Sequence, residues 1–456
     1  ISVIGGIGGS QALAGLTVSQ SNAATFLGAV DVSDSNSGTI TLTDTTDNRS
    51  IGFNGNVTAD TFTTAAQGYN LSLNGDTTIA NAVTFQNTGT LTLGNTAADT
   101  LTFNGGVTES TSGTVSIVGA IVSSDDTISF GAISLGGDLS VTSAGGAISI
   151  GAITSSAARD VTITSSGGST NTVTLSTLTD GNMNTVAVTA GTSITLTGNI
   201  TTNNASGNTV TLTAPSINAG SVTIDTNNTN NDGNVSFIVN NLTNTGAIDA
   251  GTATFQIAPN TVSHVIEFAS SNSGNISEDA FYDSDFGSIT AGTFLIGSSS
   301  HTGNIFIGND AGTLSFGSAL SVQNSNSGII TLGDYTSSND NLTLTSGAGV
   351  TFKDLSDGTA TTNLGSGALT ITGAATLADN ASITATGGIS FSSTIDADNA
   401  GSNDRTLTMT SGTGSTIAVS GNVGASQALS GLTITQSNGT TFSGTVDVSD
   451  SSSGTI

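Results

Sequence analysis

Apolar and polar residues alternate with a period of two along almost the whole chain. Clear examples begin at Ile40, Val161, Val210, Leu342 and Leu369, where aliphatic residues alternate with Thr. One side of each segment is aliphatic and the other is Thr or Ser, with β-branched residues on both, as is typical of half-buried strands. No stretch has helical spacing. The pattern therefore predicts many short strands, each of about three to six residues.

A second pattern separates the strands: an apolar residue, Gly with a small neighbour, and then another aliphatic residue. The motifs are FLGAV (26–30), FNGNV (53–57), FNGGV (103–107), IVGAI (117–121), FGAI (130–133), IGAI (150–153), LTGNI (196–200), VSGNV (419–423) and FSGTV (442–446). Gly takes positive φ without steric cost, and Asn tolerates it better than most residues. Each motif therefore predicts a sharp corner that returns the next apolar side chain to the interior.

Short strands joined by tight corners predict an all-β fold, an elongated parallel β-helix or β-solenoid of stacked short strands with Gly/Asn corners. We expect one continuous solenoid over residues 1–456, with about 20 residues per coil. Inward ladders would hold the aliphatic and Phe residues, so Phe103 should lie inside and Thr102 outside. The least repetitive stretch, residues 262–292, is interpreted as an irregular insertion.

The chain also repeats itself over a long distance. Residues 10–40 align without gaps with residues 426–456, an offset of 416, and 23 of the 31 aligned positions are identical. This agreement indicates tandem duplication, so we interpret the chain as one repeat unit plus the start of the next. No charge, Pro or lid protects either terminal coil, and exposed strand edges pair with other chains. We therefore expect covalent continuation into further repeats or self-association.

Composition narrows the possible partners. The net charge is −28, and Arg49, Arg159, Lys353 and Arg405 are the only basic residues. Binding to nucleic acid, or to an anionic membrane surface, requires several basic side chains on one face, so both partners are excluded. The absence of Cys fits an extracellular protein held together by its backbone ladders. No apolar run approaches the roughly 18 residues of a membrane span, so we expect no membrane insertion.

The Gly-, Thr- and Asn-rich text of residues 366–424 resembles the passenger regions of giant bacterial autotransporters and filamentous-haemagglutinin-like surface proteins. The resemblance extends over most of the chain and lies in composition and period, without an invariant motif. It implies a right-handed parallel β-helix shaft displayed outside the cell. It supplies no catalytic residue.

Chemistry-bearing residues gather in residues 262–292: His264, Glu267, Glu278, Asp279, Tyr282, Asp283 and Asp285. Some of them could bind a metal, but their spacing matches no known ligand pattern. Solvated loop charges explain them more simply. His301 stands alone in the sequence, and we assign no metal site.

Two acidic turns, residues 228–233 and 396–401, each resemble half of a calcium loop. Val239 and Leu407 stand where the closing Glu would be, and Asx turns explain the same residues. We therefore predict no cofactor, although calcium is the ion that these turns would suit. Matches to the N-glycosylation pattern at Asn56, Asn199, Asn275 and Asn341 are expected by chance in such a chain.

These observations predict a non-catalytic structural segment of a giant bacterial extracellular fibre or surface adhesin, with no catalytic, cofactor-binding or metal-binding residue. Receptors at a surface or on glycans would be its further partners. The alternative is a carbohydrate-binding or polysaccharide-degrading β-helix, with a groove at Tyr282 as its signature. An ice-binding solenoid with outward Thr ladders is a weaker alternative, because Thr is also the best polar strand former.

Overall fold

The computed structural model describes residues 1–34, 37–43, 46–110, 113–167, 171–178, 183–203, 207–227, 232–244, 246–270, 279–282, 288–308, 314, 316–325, 327–354, 358–398, 405–450 and 454–456. The described part is an all-β parallel β-solenoid without an α-helix. Its contacts divide it into unit 1, Ile1–Gly233, and unit 2, Asn234–Ile456.

Most strands in the described part of unit 1 are short, but five have 7 to 13 residues and exceed the predicted length of about three to six. The strands are β1 (Ser2–Val3), β2 (Gly15–Val18), β3 (Ala24–Phe26), β4 (Val30–Val32), β5 (Thr39–Leu42), β6 (Ser50–Phe53), β7 (Val57–Ala59), β8 (Thr61–Thr64), β9 (Asn70–Leu73), β10 (Thr77–Ile79), β11 (Val83–Phe85), β12 (Thr90–Leu93), β13 (Thr100–Phe103), β14 (Val107–Glu109), β15 (Thr114–Ser123), β16 (Ile128–Phe130), β17 (Ile133–Ser143), β18 (Ile148–Ile150), β19 (Ile153–Ser155), β20 (Arg159–Ser165), β21 (Thr172–Leu175), β22 (Met183–Ala190), β23 (Ser193–Leu196), β24 (Ile200–Thr201), β25 (Asn208–Gly220) and β26 (Ile224–Asp225).

The strands of unit 2 are of the same kind. They are β27 (Asn234–Asn244), β28 (Ala247–Asp249), β29 (Thr254–Ala258), β30 (Ile266–Ala269), β31 (Asp279–Tyr282), β32 (Ser288–Thr290), β33 (Thr293–Gly297), β34 (Ile305–Ile307), β35 (Ala319–Gln323), β36 (Ile330–Leu332), β37 (Tyr335–Thr336), β38 (Leu342–Thr345), β39 (Val350–Phe352), β40 (Thr359–Asn363), β41 (Ala368–Thr372), β42 (Ala375–Leu377), β43 (Asn380–Thr384), β44 (Gly388–Phe391), β45 (Ile395–Ala397), β46 (Thr406–Thr410), β47 (Thr416–Val419), β48 (Gly431–Gln436) and β49 (Gly439–Phe442).

Strands of successive coils stack in parallel and form the faces of each unit. In unit 1, one face runs through β3, β6, β9, β12, β15, β17 and β19. In unit 2, one face runs through β29, β33, β35, β38, β41, β44, β47 and β49. Each coil therefore contacts chiefly the coils before and after it, which is the defining feature of a solenoid.

Side chains of the strands lie on the inner and outer sides that the period-two alternation predicts. In β13, Leu101 and Phe103 are buried, whereas Thr102 between them is half-buried on the outer side. Parallel pairing keeps like residues above one another: Ile51 pairs with Leu71, and Leu71 pairs with Leu91. Burying each such side chain contributes about 1.5–3 kcal/mol before the entropy cost of folding is counted.

Eight of the nine motifs lie where one strand ends and the chain turns, whereas IVGAI lies within β15, at a register shift between Ile117 and Gly119. The physical reason for the corners differs from the expected one. Of the nine motifs, only FNGGV and IVGAI contain a glycine with positive φ, at Gly106 and Gly119. At Gly55 a Cβ atom would lie 2.6 Å from the backbone carbon of Gly28 in the preceding coil. Successive corners thus stack with their backbones in close contact, and Gly is needed because it has no side chain. Among the described residues only Asn48 is a non-Gly residue with positive φ.

Coil length varies more widely than the even spacing that the sequence predicts. Ile51 pairs in register with Leu71, whereas Ile389 pairs with Ile417, so the second of these coils is the longer one. The coil that contains residues 262–292 is longer still, because Phe255 pairs with Phe294. The strands stay in parallel register in all three coils, so the corners and connections absorb the extra residues.

The long coil adds a strand to its face. β30 pairs in parallel with β34 on one edge and with β31 on the other, although β31 follows β30 closely in the chain, with Ile266 opposite Asp279. Aromatic side chains cluster beside this extra strand. Phe268 stacks on Phe281 at 5.0 Å, and Phe255 stacks on Phe294 at 5.2 Å. The described part of residues 262–292 thus contains β30, β31 and β32.

Candidate functional site

The acidic stretch at residues 262–292 is only partly described. Glu278, Asp283 and Asp285 lie outside the described residues, as do the side chains of Asp279 and Tyr282. His264 and Glu267 are described, at the start of the segment. Within the part of the chain that the structure describes, no group of three or more His, Asp or Glu side chains is arranged to hold a metal ion.

Glu267 is not a solvated loop charge, which corrects the sequence interpretation. It lies within β30, whose residues are all buried, and it pairs in register with Phe306 of β34. The outer side of this strand is covered as well as the inner side. Period-two patterning cannot reveal such a strand, because both of its sides are then shielded from solvent.

His301 is fully buried, and neither ring nitrogen has a hydrogen-bond partner of acceptable geometry. Burial lowers the pKa of His301 below its ordinary value, and the nearby His264 adds a smaller electrostatic effect in the same direction. Burial thus favours the neutral form of the His301 imidazole. The fold brings His264 and His301 close together, a proximity that the sequence did not predict.

The acidic turn at residues 396–401 forms structural contacts where it is described. The Oδ1 atom of Asp396 accepts a hydrogen bond from the backbone N–H of Ser426 at 2.9 Å, in the following coil. Asp398 accepts two hydrogen bonds from the Arg405 guanidinium, at 2.9 and 3.1 Å. Arg405 also reaches Asp379 at 3.3 Å. Arg405 thus neutralises Asp398, one of the two carboxylates of this turn.

The other acidic turn, residues 228–233, is described only at Asp232 and Gly233. There the backbone N–H of Gly233 donates to the carbonyl oxygen of Thr226 at 3.1 Å. Residues 228–231, which carry the rest of the calcium-like pattern, lie outside the described residues.

Two of the three tyrosines cannot form stacking platforms for sugar rings. Tyr69 and Tyr335 are completely buried. Burial raises the pKa of Tyr69 to about 12 and raises the pKa of Tyr335 as well. Both are core residues, and Tyr335 lies against Phe316 with ring centroids 6.5 Å apart.

Unit 2 has an open groove of about 410 Å³ along one corner of the solenoid. Its walls come from successive coils and consist of Ser299, Gln323, Asn324, Ser325, Thr345, Ser346, Gly347, Thr372 and Gly373. The buried polar residues among them support the backbone: Asn324 Nδ2 donates to Gly303 O at 2.7 Å, and Ser346 Oγ donates to Gly328 O at 2.9 Å. The described residues of these walls offer hydroxyl and amide groups and include no charged or aromatic side chain.

A second open groove, of about 310 Å³, lies in unit 1 and includes Asp138 and Asp160. These carboxylates belong to adjacent coils, and each accepts a hydrogen bond from the following coil. Asp138 Oδ1 accepts from the backbone N–H of Asp160 at 3.1 Å, and Asp160 Oδ1 accepts from the hydroxyl of Thr185 at 2.8 Å. The pair thus helps to hold three coils together.

Cross-coil bonds of this kind recur, and sequence reasoning missed them. An Asn side-chain oxygen accepts a hydrogen bond from a backbone N–H of the next coil at Asn199, Asn341, Asn380 and Asn422, with distances of 2.9–3.0 Å. Asn199 and Asn341 match the glycosylation pattern. Their signal in the sequence is an Asn at or just before the start of a strand or bridge. Only Asn199 and Asn422 stand in corner motifs, where Asn was interpreted as a residue tolerant of positive φ.

Comparisons of the chain with known protein families, with curated proteins and with solved structures find no match. No helix in the described ranges is long and apolar enough to cross a membrane. The chain is thus identified by its architecture alone, as a parallel β-solenoid repeat protein.

Proposed function

We propose that this chain is a non-catalytic structural segment of a giant bacterial extracellular fibre or surface adhesin, in which the solenoid forms a rigid shaft. The observation that carries the proposal is the register of the repeated sequence. Ile7 bridges Val30 near the start of the chain, and Val423 bridges Val446, the equivalent pair in the second copy of the repeat. Gly15 pairs with Thr39, and Gly431 bridges Thr455 in the same way.

A coil architecture that reproduces its register one full repeat later accepts further copies without a new interface. This property suits a protein whose role is to extend over a distance. The scarcity of Lys and Arg also leaves few cleavage sites for trypsin-like proteases.

The test is cryo-electron microscopy of the native material, with an antibody raised against the full chain to locate it. We expect antibody-labelled filaments outside the cell, with strand spacing of about 4.8 Å along the axis. Compact particles, or label confined to the cell interior, would contradict the proposal.

A second candidate function, carbohydrate binding, is favoured by the open groove of unit 2. Hydroxyl and amide groups from successive coils match the hydrogen-bonding needs of a neutral sugar chain. Thr345 lines the groove, whereas Thr343 lies on the same strand, β38, away from it. On a glycan array, Thr345→Trp should abolish any specific signal and Thr343→Trp should preserve it. Absence of signal from the unmodified chain would eliminate this candidate.

A further inference from the structure

Four Asn-Gly dipeptides are chemically reactive positions of this chain. They are Asn54-Gly55, Asn74-Gly75, Asn104-Gly105 and Asn438-Gly439, and all of them lie within the described residues. In such a pair the backbone nitrogen of Gly can attack the side-chain carbonyl carbon of the preceding Asn, because Gly has no side chain to hinder the approach. The four positions share this chemistry, so their surroundings decide which of them reacts.

The attack has two structural requirements. The amide nitrogen of Gly must be available, and the Asn side chain must turn back along its own chain to meet it. A hydrogen bond that occupies the amide, or that holds the side chain elsewhere, has to break first, which slows the reaction. Exposure does not separate the four positions, because three of the Asn residues are exposed and Asn74 is half-buried.

Asn54 and Asn74 are held by each other. The Nδ2 atom of Asn74 donates to the Oδ1 atom of Asn54 at 2.8 Å. These residues follow Phe53 and Leu73, which pair in adjacent coils, so the bond links one coil to the next. Each side chain is therefore held towards the neighbouring coil and away from the glycine that follows it.

Asn438 is constrained at its glycine instead. The backbone N–H of Gly439 donates to the Oγ atom of Ser437 at 3.0 Å. Gly439 also begins β49 and pairs in register with Thr416. The nitrogen that would attack the Asn438 side chain is thus occupied.

Asn104 meets both requirements. Its side chain is exposed, and within the described part of the chain neither that side chain nor the amide of Gly105 has a hydrogen-bond partner. The backbone N–H of Gly106 donates to Phe103 O at 2.9 Å and closes a β-turn between β13 and β14. Such a turn uses the amide of its fourth residue, so the amide of the third residue, Gly105, stays available.

We propose that Asn104 is a site of spontaneous covalent modification, at which the folded chain deamidates ahead of its other three Asn-Gly positions. A bond forms between the Gly105 nitrogen and the Cγ atom of Asn104, the bond from Cγ to Nδ2 breaks, and Nδ2 leaves as ammonia with the proton of the Gly105 amide. Solvent water then opens the resulting five-membered imide ring at either carbonyl. The products are aspartate and isoaspartate, and the proposal is independent of the proposed structural role.

The corner should favour one of these products. In the following coil, the hydroxyl of Ser124 donates to the backbone oxygen of Asn104 at 2.5 Å. Aspartate keeps this backbone, whereas isoaspartate lengthens the main chain by a methylene group. A Cβ atom on Gly105 would already lie 2.3 Å from the backbone nitrogen of Ala82, so the corner has no room for a longer main chain. Reaction in the folded state should therefore give a larger share of aspartate than reaction in a denatured chain.

The experiment follows the full, unmodified chain in mildly alkaline buffer, with a folded and a denatured sample incubated side by side. Both are digested with pepsin at acidic pH, where the reaction is slow. Peptide mass spectrometry measures deamidation at each position, and electron-transfer fragmentation distinguishes isoaspartate from aspartate. In the folded sample we expect Asn104 to react at least about fivefold faster than any of the other three positions, the factor that one intact hydrogen bond provides. In the denatured sample the four positions should react at similar rates.

Two variants test whether hydrogen bonds select the site. Asn54→Ala removes the acceptor that holds Asn74, so Asn74 should then react about fivefold faster in the folded chain. Ser437→Ala frees the amide of Gly439 and should accelerate reaction at Asn438. The rate at Asn104 should stay the same in both variants, and hydrogen exchange of the rest of the chain shows that they remain folded.

Four results would overturn the proposal. They are equal rates at the four positions of the folded chain, a faster reaction at one of the other three, no reaction at Asn104 while the denatured sample reacts, and an unchanged rate at Asn74 in folded Asn54→Ala. A share of aspartate at Asn104 equal to that of the denatured sample would also overturn it, because the reaction would then take place in an unfolded corner. Filaments in the native material, or their absence, bear only on the proposed function.

Discussion

The regular coils of unit 1 and the long coil of unit 2 fill their interiors in different ways. In unit 1, short coils place one apolar residue above the next, as from Ile51 to Leu71. In the long coil, which runs from Phe255 to Phe294, an extra strand and an aromatic cluster fill the interior. The stability of a regular ladder therefore depends on each single inward side chain, whereas the stability of the long coil depends on contacts shared among several aromatic rings.

The largest effect should come from placing a charge inside a regular ladder. Phe103 is fully buried, so Phe103→Asp should destabilise the surrounding coils by at least about 4 kcal/mol. Thr102→Asp, on the outer side, should cost about 1 kcal/mol or less. Hydrogen exchange over residues 70–135 measures both variants, and equal loss of protection would contradict the inward and outward assignment.

The aromatic cluster should give the next largest effect. The Phe294 ring contacts the rings of Phe255, Phe268 and Phe316. Phe294→Ala should therefore cost about 3–5 kcal/mol, with the loss spread over β29, β30 and β35. Leu295→Ala, at the half-buried outer position, is the matched control and should cost much less. Loss of protection confined to β33 would show that the rings do not act together.

A corner glycine tests close stacking of the coils. A Cβ at Gly55 would lie 2.6 Å from the Gly28 backbone, so Gly55→Ala should cost about 1–3 kcal/mol. Gly414 has open space around its Cβ position and no positive φ, so Gly414→Ala should be neutral or slightly stabilising. Chemical denaturation followed by circular dichroism compares the two variants. Similar midpoints would indicate that the backbone at the corner shifts to accommodate the added methyl group at little cost.

The ion pairs of unit 2 should give a smaller change. Replacing Arg405 by Met leaves the carboxylates of Asp379 and Asp398 close together, and we expect a cost of about 1–2 kcal/mol that diminishes in high salt. Lys353→Met, at an exposed position, removes the same charge without this contact. Denaturation midpoints at low and high salt distinguish the two variants, and identical behaviour would mean that Arg405 contributes only through overall charge.

The smallest effect should be the pH response of His301. Its pKa is lowered in the folded protein, so the unfolded chain binds more protons as the pH falls below about 6.5, and stability decreases from there downward. His301→Leu should reduce this part of the acid sensitivity. Hydrogen exchange of the long coil at pH 7.5 and 5, corrected for intrinsic rates, should show a few-fold smaller loss of protection in the variant. An unchanged pH response would assign the effect to carboxylates instead.

The sequence was sufficient for the fold because each strand carries its own inward and outward pattern. Phe103 and Thr102 lie on the predicted sides, and eight of the nine corner motifs lie where a strand ends. The predicted positive φ occurs at Gly106 and Gly119 but not at Gly55, which is needed because it lies against Gly28 of a different coil. Local sequence specifies a turn but does not specify which backbone passes beside it.

The chemistry of residues 262–301 was less predictable for a related reason. Glu267 and His301 were interpreted as a loop charge and an isolated residue, whereas both are buried. β30 pairs with β31 on one edge and with β34, much further along the chain, on the other. Where coil length is irregular, the sequence gives no register by which to align neighbours, and side-chain environments cannot be assigned.

The variable coil length has a consequence for how such a protein changes size. Advance along the stack is set by the distance between paired strands, about 4.8 Å per coil, in the shorter coil from Ile51 to Leu71 and in the longer one from Ile389 to Ile417 alike. A few residues inserted at a corner would thus widen the outline of one coil and leave the axial distance between its neighbours unchanged. Reach along the axis is counted in whole coils, so only the gain or loss of a complete coil alters it.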